Sequence, residues 1–185
     1  LLSFNVFGLC DYNRNNGDFG NEYLVEEKNR NEANPTLRWI MEQDADIVYA
    51  QEMYIDPGWE YRVFTRPSYD SLCTQYPYRI PQYGNWILSK FPLYPVKLWQ
   101  PDNLPGMFNA AIAEIQGHRT LLVSVHMQSI GLNASDKELY REITSGDGNR
   151  KTLREAKTKL YDKLSNAFLA RVHQARVLRH QIDSI

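Results

Sequence analysis

The run Ile47-Val48-Tyr49-Ala50, apolar without a break and closed by Gln51 and Glu52, constrains this chain more than any other feature. A strand with one wet face alternates apolar and polar residues. An unbroken apolar run suits a strand covered on both faces, as in the parallel sheet of an α/β protein. Upstream, Leu1 to Phe7 read as a strand in which Leu2, Phe4 and Val6 alternate with Ser3 and Asn5. Between the two, Asp11 to Gly20 is rich in Asn, Asp and Gly and reads as a loop. Asn34 suits a helix N-cap, Pro35 suits the first helical position, and Leu37, Ile40 and Met41 form an apolar stripe. Strand, helix, strand predicts a βαβ unit with a right-handed crossover and parallel strands. Asn5 then lies near the carboxyl end of the first strand and Glu52 closes the second. Both fall on the edge where ligands of open α/β sheets collect.

The middle of the chain reads as β-rich. Tyr61 to Thr65 and Ser71 to Gln75 are short strand candidates, and Trp86 to Ser89 is a clearer one, ended by Phe91-Pro92. A hairpin is predicted from Phe108 to Ile115 and Arg119 to Met127, turning through Gln116-Gly117-His118. Its second arm is strongly apolar and ends on His126. After Gly131, Ser135 can cap a short helix from Asp136 to Thr144, and Ser145 to Asn149 is a break. A long helix follows from about Lys151 to Ile182, with Leu160, Leu164, Phe168, Val172, Ala175, Leu178 and Ile182 at three- and four-residue steps. With no internal repeat and no clear linker, residues 1–185 read as one domain.

Composition narrows the function classes. The 185 residues are 43% hydrophobic with a formal net charge of −1, enough apolar mass for a core and no global field for a polyanion. Cys10 and Cys73 have no CxxC spacing, which argues against a thiolate metal site and favours two buried thiols over a disulfide. No apolar run approaches the roughly 20 residues of a membrane span. No signal peptide is visible, but the chain opens directly on a strand, so residues are expected upstream of Leu1. Location is therefore unassigned, with an envelope or extracytoplasmic site open, and oligomeric state is not legible. The GxSxG, GxxxxGK[ST], HExxH and GxGxxG motifs are absent, which removes the usual serine-hydrolase and nucleotide-loop readings.

What remains are polar residues at strand ends. Glu52, leaving a buried strand, is either a ligand for a hard cation such as magnesium or a carboxylate reaching solvent. Asn5 can contact phosphate or orient a metal-bound carboxylate, or simply shape a turn. His126 can protonate a leaving group or hold a phosphoryl oxygen, or be a hydrogen-bonded histidine at a sheet edge. His118 falls in the hairpin turn and His173 and His180 on the long helix, as surface or structural residues. On that helix Arg150, Lys151, Arg154, Lys157, Lys159, Lys163, Arg171, Arg176 and Arg179 outnumber the acids Glu155 and Asp162. They form either a surface for a polyanion or a solvated face.

Four segments, in order, resemble the endonuclease/exonuclease/phosphatase family of metal-dependent phosphoesterases. Leu2-Ser3-Phe4-Asn5-Val6 looks like its opening strand with a functional Asn. Asp46-Ile47-Val48-Tyr49-Ala50-Gln51-Glu52 looks like its Gln-Glu motif. Gly84-Asn85-Trp86-Ile87-Leu88-Ser89-Lys90-Phe91-Pro92 is similar to its Gly-x-Ala-Ile-Leu-Ser-Arg-x-Pro strand. Val123-Ser124-Val125-His126-Met127 is similar to its strand ending in Thr-His-Leu. The resemblance implies a four-layer α/β sandwich of the deoxyribonuclease type and magnesium, or manganese, as cofactor. It also implies hydrolysis of a phosphoester by a phosphodiesterase or phosphatase, with nucleic acid among the substrates to consider. Glu52 would be the metal ligand, Asn5 and His126 catalytic and substrate-binding residues, and Asn85 a weaker substrate contact at the same rim. The charged segment from Gly131 to Ile182 looks most like a bacterial subgroup. The family's later Gly-Asp-x-Asn, Asp and Ser-Asp-His motifs do not occur, and Gly146-Asp147-Gly148-Asn149 lacks a preceding apolar strand. The chain thus resembles the first half of the family's domain, expected to be incomplete as a catalyst on its own. The rival reading is a non-catalytic fragment or scaffold that binds through the basic helix near 150–180.

Overall fold

The alternation in Leu2–Asn5 and the apolar run after Asp46 form two strands, β1 (Leu2–Asn5) and β2 (Ile47–Met53), paired in parallel with Asn5 opposite Gln51. The computed structural model describes residues 1–6, 35–53, 66–82, 84–100, 107–145 and 150–185. These divide into two compact units, Leu1–His126 and Met127–Ile185. The architecture is mixed α/β, with two sheets and four helices among the described residues.

In the first unit, α1 (Pro35–Glu42) precedes β2, and α2 (Arg66–Gln75) leads to β3 (Tyr78–Ile80) and β4 (Gly84–Ser89). These strands make a sheet of order β1-β2-β4-β3, in which β4 runs antiparallel to both of its neighbours. A second, antiparallel sheet has the order β5-β6-β7, with β5 (Leu93–Val96), β6 (Phe108–Ile115) and β7 (His118–Val125).

The apolar run of β2 has a physical cause visible in the two cores. One face places Val48, Ala50 and Met53 against Leu37 and Ile40 of α1 and Leu72 and Tyr76 at the end of α2. The other face places Ile47, with Tyr49 beside it, in a cluster with Ile87, Ala111, Ala113 and Leu122, joining the two sheets. Every residue of β4 is buried, as the central strand between helices and second sheet must be.

Several sequence expectations need correcting. Ser71 to Gln75 is helical, not a strand: Leu72 and Tyr76, four apart, are fully buried in the core that holds α1, while Thr74, which would share their face in a strand, is exposed. The hairpin turns through Gln116 and Gly117 alone, at φ 51° and 82°, a two-residue turn with both central residues left-handed, and His118 already pairs with Ile115 in β7. Strand β5 carries Pro95, tolerated because β5 is the edge of its sheet. Cys73 is a free, half-buried thiol. Asn34, Cys10, the loop from Asp11 to Gly20 and the strand expected at Tyr61 to Thr65 lie outside the described residues.

The second unit holds α3 (Ala134–Ser145) and α4 (Arg150–Ile182). Asn133, not Ser135, caps α3. Its Oδ1 accepts the Asp136 N–H at 3.0 Å, and the Asp136 carboxylate accepts the Asn133 N–H at 2.9 Å, a reciprocal capping box. Asp136 is fully buried, and the Lys163 ammonium donates to it, with Lys159 at 3.6 Å; the Lys163 hydrogen bond is the main cause holding its carboxyl below the usual range. On α4 the buried stripe is Leu160, Ala167, Gln174 and Leu178, whereas Phe168 and Val172 are 56% and 47% exposed. Phe168 sits one residue past Ala167, roughly 100° around the helix, so the two cannot share a face. Gln174 and Arg171 spend their side chains on Gln128, through its N–H at 3.0 Å and its carbonyl at 2.8 Å.

Candidate functional site

Glu52 occupies a β-bulge. Gln51 pairs with Asn85 and Met53 with Gly84, so Glu52 is the extra residue, and its φ of 58° is left-handed. On strict alternation Glu52 would share the face of Val48 and Ala50, against the helices. The bulge hands that place to Met53, which is fully buried there, and turns the Glu52 side chain toward the strand ends with 25% exposure. A non-glycine residue in this conformation costs of order 1–2 kcal/mol and persists where its surroundings over-determine it.

At the strand ends Glu52 meets two partners. The Asn5 amide, from the last residue of β1, donates to Glu52 Oε1 at 2.9 Å. His126, the residue after β7, brings Nε2 to 3.2 Å from the same oxygen. The His126 backbone N–H donates to the Met107 carbonyl at 2.8 Å, which extends the β6–β7 ladder by one rung and fixes where β7 leaves the sheet. Both contacts fall on Oε1, so Oε2 has no protein partner among the described residues. Of the three residues expected at one rim, Asn5 and His126 are therefore both within hydrogen-bond reach of one carboxylate oxygen of the third, Glu52.

Asn85 is placed differently. The resemblance implies a substrate contact, but the residue is 1% exposed and both amide hydrogens are used internally, on the Ser124 carbonyl at 3.1 Å and the Met107 carbonyl at 3.2 Å. Its Oδ1 accepts the Ser124 hydroxyl at 2.6 Å, and its backbone carbonyl accepts the Asn109 amide at 2.7 Å. The structure sets it behind the rim rather than on it. Gln51 joins the same group, its Nε2 reaching Ser3 Oγ at 3.2 Å and Ser124 Oγ at 3.4 Å. Gln51, Ser124 and Asn109 are missed by a search for reactive residues. Their signal in the sequence is a polar side chain inside an otherwise apolar strand, which is tolerated in a core only with hydrogen-bond partners.

A cleft of about 430 Å3, lined among others by Gln82, Trp99, Phe108 and Asn109 and not by Asn5, Glu52 or His126, lies toward the same end of the strands. Its position follows from register: Gln82 precedes Gly84, which pairs beside Glu52, and Phe108 pairs with Val125, the neighbour of His126.

The opposite end of the first sheet carries a separate charge cluster. Lys90 Nζ lies 2.7 Å from Asp44 and 3.5 Å from Asp46. The Lys90 hydrogen bond holds the Asp44 carboxyl below its ordinary range, and the same bond pushes the Lys90 ammonium up. Asp44 follows α1 with a φ of 48°, so this cluster closes a turn rather than a site.

Among the described residues, no group of three or more His, Cys, Asp or Glu side chains is gathered to hold a metal ion. A closed zinc site would need four N or S ligands. Magnesium asks less of a protein, since it keeps several waters and takes one or two carboxylates plus substrate phosphate. Glu52, whose contacts among the described residues all fall on Oε1, fits that smaller demand. No family model matches this sequence, and no curated protein matches it.

Proposed function

We propose that this chain carries the metal-binding and phosphate-binding part of a magnesium-dependent phosphoester hydrolase of the endonuclease/exonuclease/phosphatase type, with manganese as the alternative ion. The observation that supports it is the meeting of Asn5, Glu52 and His126 at one carboxylate oxygen, from three strands that end on one side. Glu52 Oε2 would hold the cation, while the Asn5 amide keeps the carboxylate turned outward. Such an ion neutralises charge that builds on phosphoryl oxygens. His126 Nε2, beside the same carboxylate, would turn to donate to a phosphate oxygen or to the leaving group.

In this reading the helix layer and two packed sheets of the first unit correspond to part of a four-layer α/β sandwich. The general base belongs to the later motifs of the resemblance, which are not among these 185 residues. The activity is therefore proposed for a protein that includes them.

The test is a phosphoesterase assay of a chain extended through those motifs, on nucleic acid, lipid and sugar-phosphate substrates with magnesium. Glu52→Ala should lower the rate at least a hundredfold, in keeping with several kcal/mol of metal-derived charge stabilisation. Chelation should do the same. Hydrolysis indifferent to both treatments overturns the proposal.

A further inference from the structure

The polar group behind the rim has a regular relation to the residues on it. Ser3 lies two residues before Asn5 on β1, and Ser124 two residues before His126, just beyond β7. A two-residue step along a strand keeps the same face. Gln51 is the residue immediately before the Glu52 bulge. Each rim residue thus has a partner one step back along its own strand, and Gln51 joins those partners directly, through Ser3 Oγ and Ser124 Oγ.

Asn85 completes the arrangement from β4. It accepts the Ser124 hydroxyl and donates to the Ser124 and Met107 carbonyls. The Met107 carbonyl also receives the His126 N–H. One buried amide therefore fixes the two carbonyls that set the exit of β7. Gln51 is tied down on its backbone as well, because its carbonyl accepts the Val6 N–H at 2.8 Å. Asn109, itself 3% exposed, closes the group by bonding the carbonyls of Asn85 and Ile80. Both amide hydrogens of Gln51, Asn85 and Asn109 are used. A polar group satisfied to this degree inside a core specifies one geometry, and its loss leaves stranded donors.

We infer that Gln51, Ser124 and Asn85 are positioning residues: a buried hydrogen-bonded plate joining the two sheets that holds the Glu52 bulge and His126 at their 3.2 Å separation. The strained conformation at Glu52 needs anchors on the residue before it, and Gln51 supplies them on both backbone and side chain. The consequence for a cation rests on the function proposed above; the consequence for geometry does not. Partners behind a metal ligand characteristically change affinity ten- to a hundredfold when removed.

The experiment compares the wild-type chain with Ser124→Ala, which removes the shared hydroxyl, and Gln51→Met, which keeps length but removes the donors. Crystal structures report the Glu52–His126 separation, and titration calorimetry with manganese chloride reports affinity. Both variants should lengthen the Glu52 Oε1 to His126 Nε2 distance beyond hydrogen-bond reach and weaken manganese at least tenfold. If Ser124→Ala does not fold, Gln51→Met decides. A folded variant that keeps the wild-type separation overturns the inference, as does one that keeps manganese affinity within twofold of wild type where wild type binds. If the wild-type chain binds manganese no better than Glu52→Gln, the proposed function fails, and the crystal geometry still judges the positioning role.

Discussion

At Glu52 two demands meet in one residue. The backbone φ of 58° favours glycine, yet the side chain accepts from Asn5 and faces His126. Replacing it separates the demands. Glu52→Ala and Glu52→Gly lose the same carboxylate, but only glycine relieves the left-handed conformation, which costs about 1–2 kcal/mol for other residues. Glu52→Gly should therefore be more stable than Glu52→Ala by about 1 kcal/mol in urea unfolding, while on the proposed function both should lose manganese binding. An alanine variant at least as stable as the glycine one would show that the bulge is not held at positive φ. The site residues were legible as types in positions: an amide, a carboxylate and an imidazole at strand ends. What was not legible was that Asn85 turns inward, because a strand residue next to a turn reads the same whether its amide meets solvent or two carbonyls.

Among the elements, strands announced themselves where an apolar run marks a packed face and hid where the strand is short and half exposed. β2 and β6 carry long apolar patterns because each is buried along most of its length. β3 and β5 are short and only partly buried, so their sequences lack a period. α2 was concealed for a related reason. Leu72 and Tyr76 share a face in a strand as well as in a helix, and only the exposure of Thr74 between them separates the two. The hairpin turn makes its own prediction. A Cβ on Gly117 would meet nothing within 4 Å, so the position has room, but its φ is 82°. Gly117→Ala should destabilise the hairpin by about 1 kcal/mol through backbone conformation alone, measured by chemical denaturation. An unchanged midpoint would mean the turn is not of the two-residue left-handed kind.

Over the whole first unit, the Glu52 rim and the Lys90 charge cluster sit at opposite ends of the first sheet. Glu52 lies at the end of β2 that faces Gly84, and Lys90 at the other, with Asp44 and Asp46. The pair Asp44 and Lys90 gives stability a defined pH window. A carboxyl held below its ordinary range contributes stability that is present above that range and lost as pH falls through the lowered value. An ammonium pushed up contributes stability that is full below its ordinary value and lost as pH rises through the raised one. Lys90→Met should thus lower the unfolding midpoint at neutral pH, by an amount that shrinks in acid as Asp44 is protonated and shrinks further in salt because both groups meet solvent. A deficit that is constant from neutral to strongly acidic pH would show that Lys90 acts through its alkyl chain instead.

The sequence by itself determined which segments must be covered on both faces, where the parallel pair begins, and that polar side chains stand at the ends of three strands. Those follow from local pattern, since side-chain alternation and the cost of burying charge are properties of the chain segment. Tertiary structure decided that one extra residue in β2 turns Glu52 out of the core and Met53 into it. It also decided that Gln51, Ser124 and Asn85 satisfy one another across two sheets. No local pattern encodes such pairing, because hydrogen bonds between residues 73 and 39 positions apart exist only once both sheets have closed on each other.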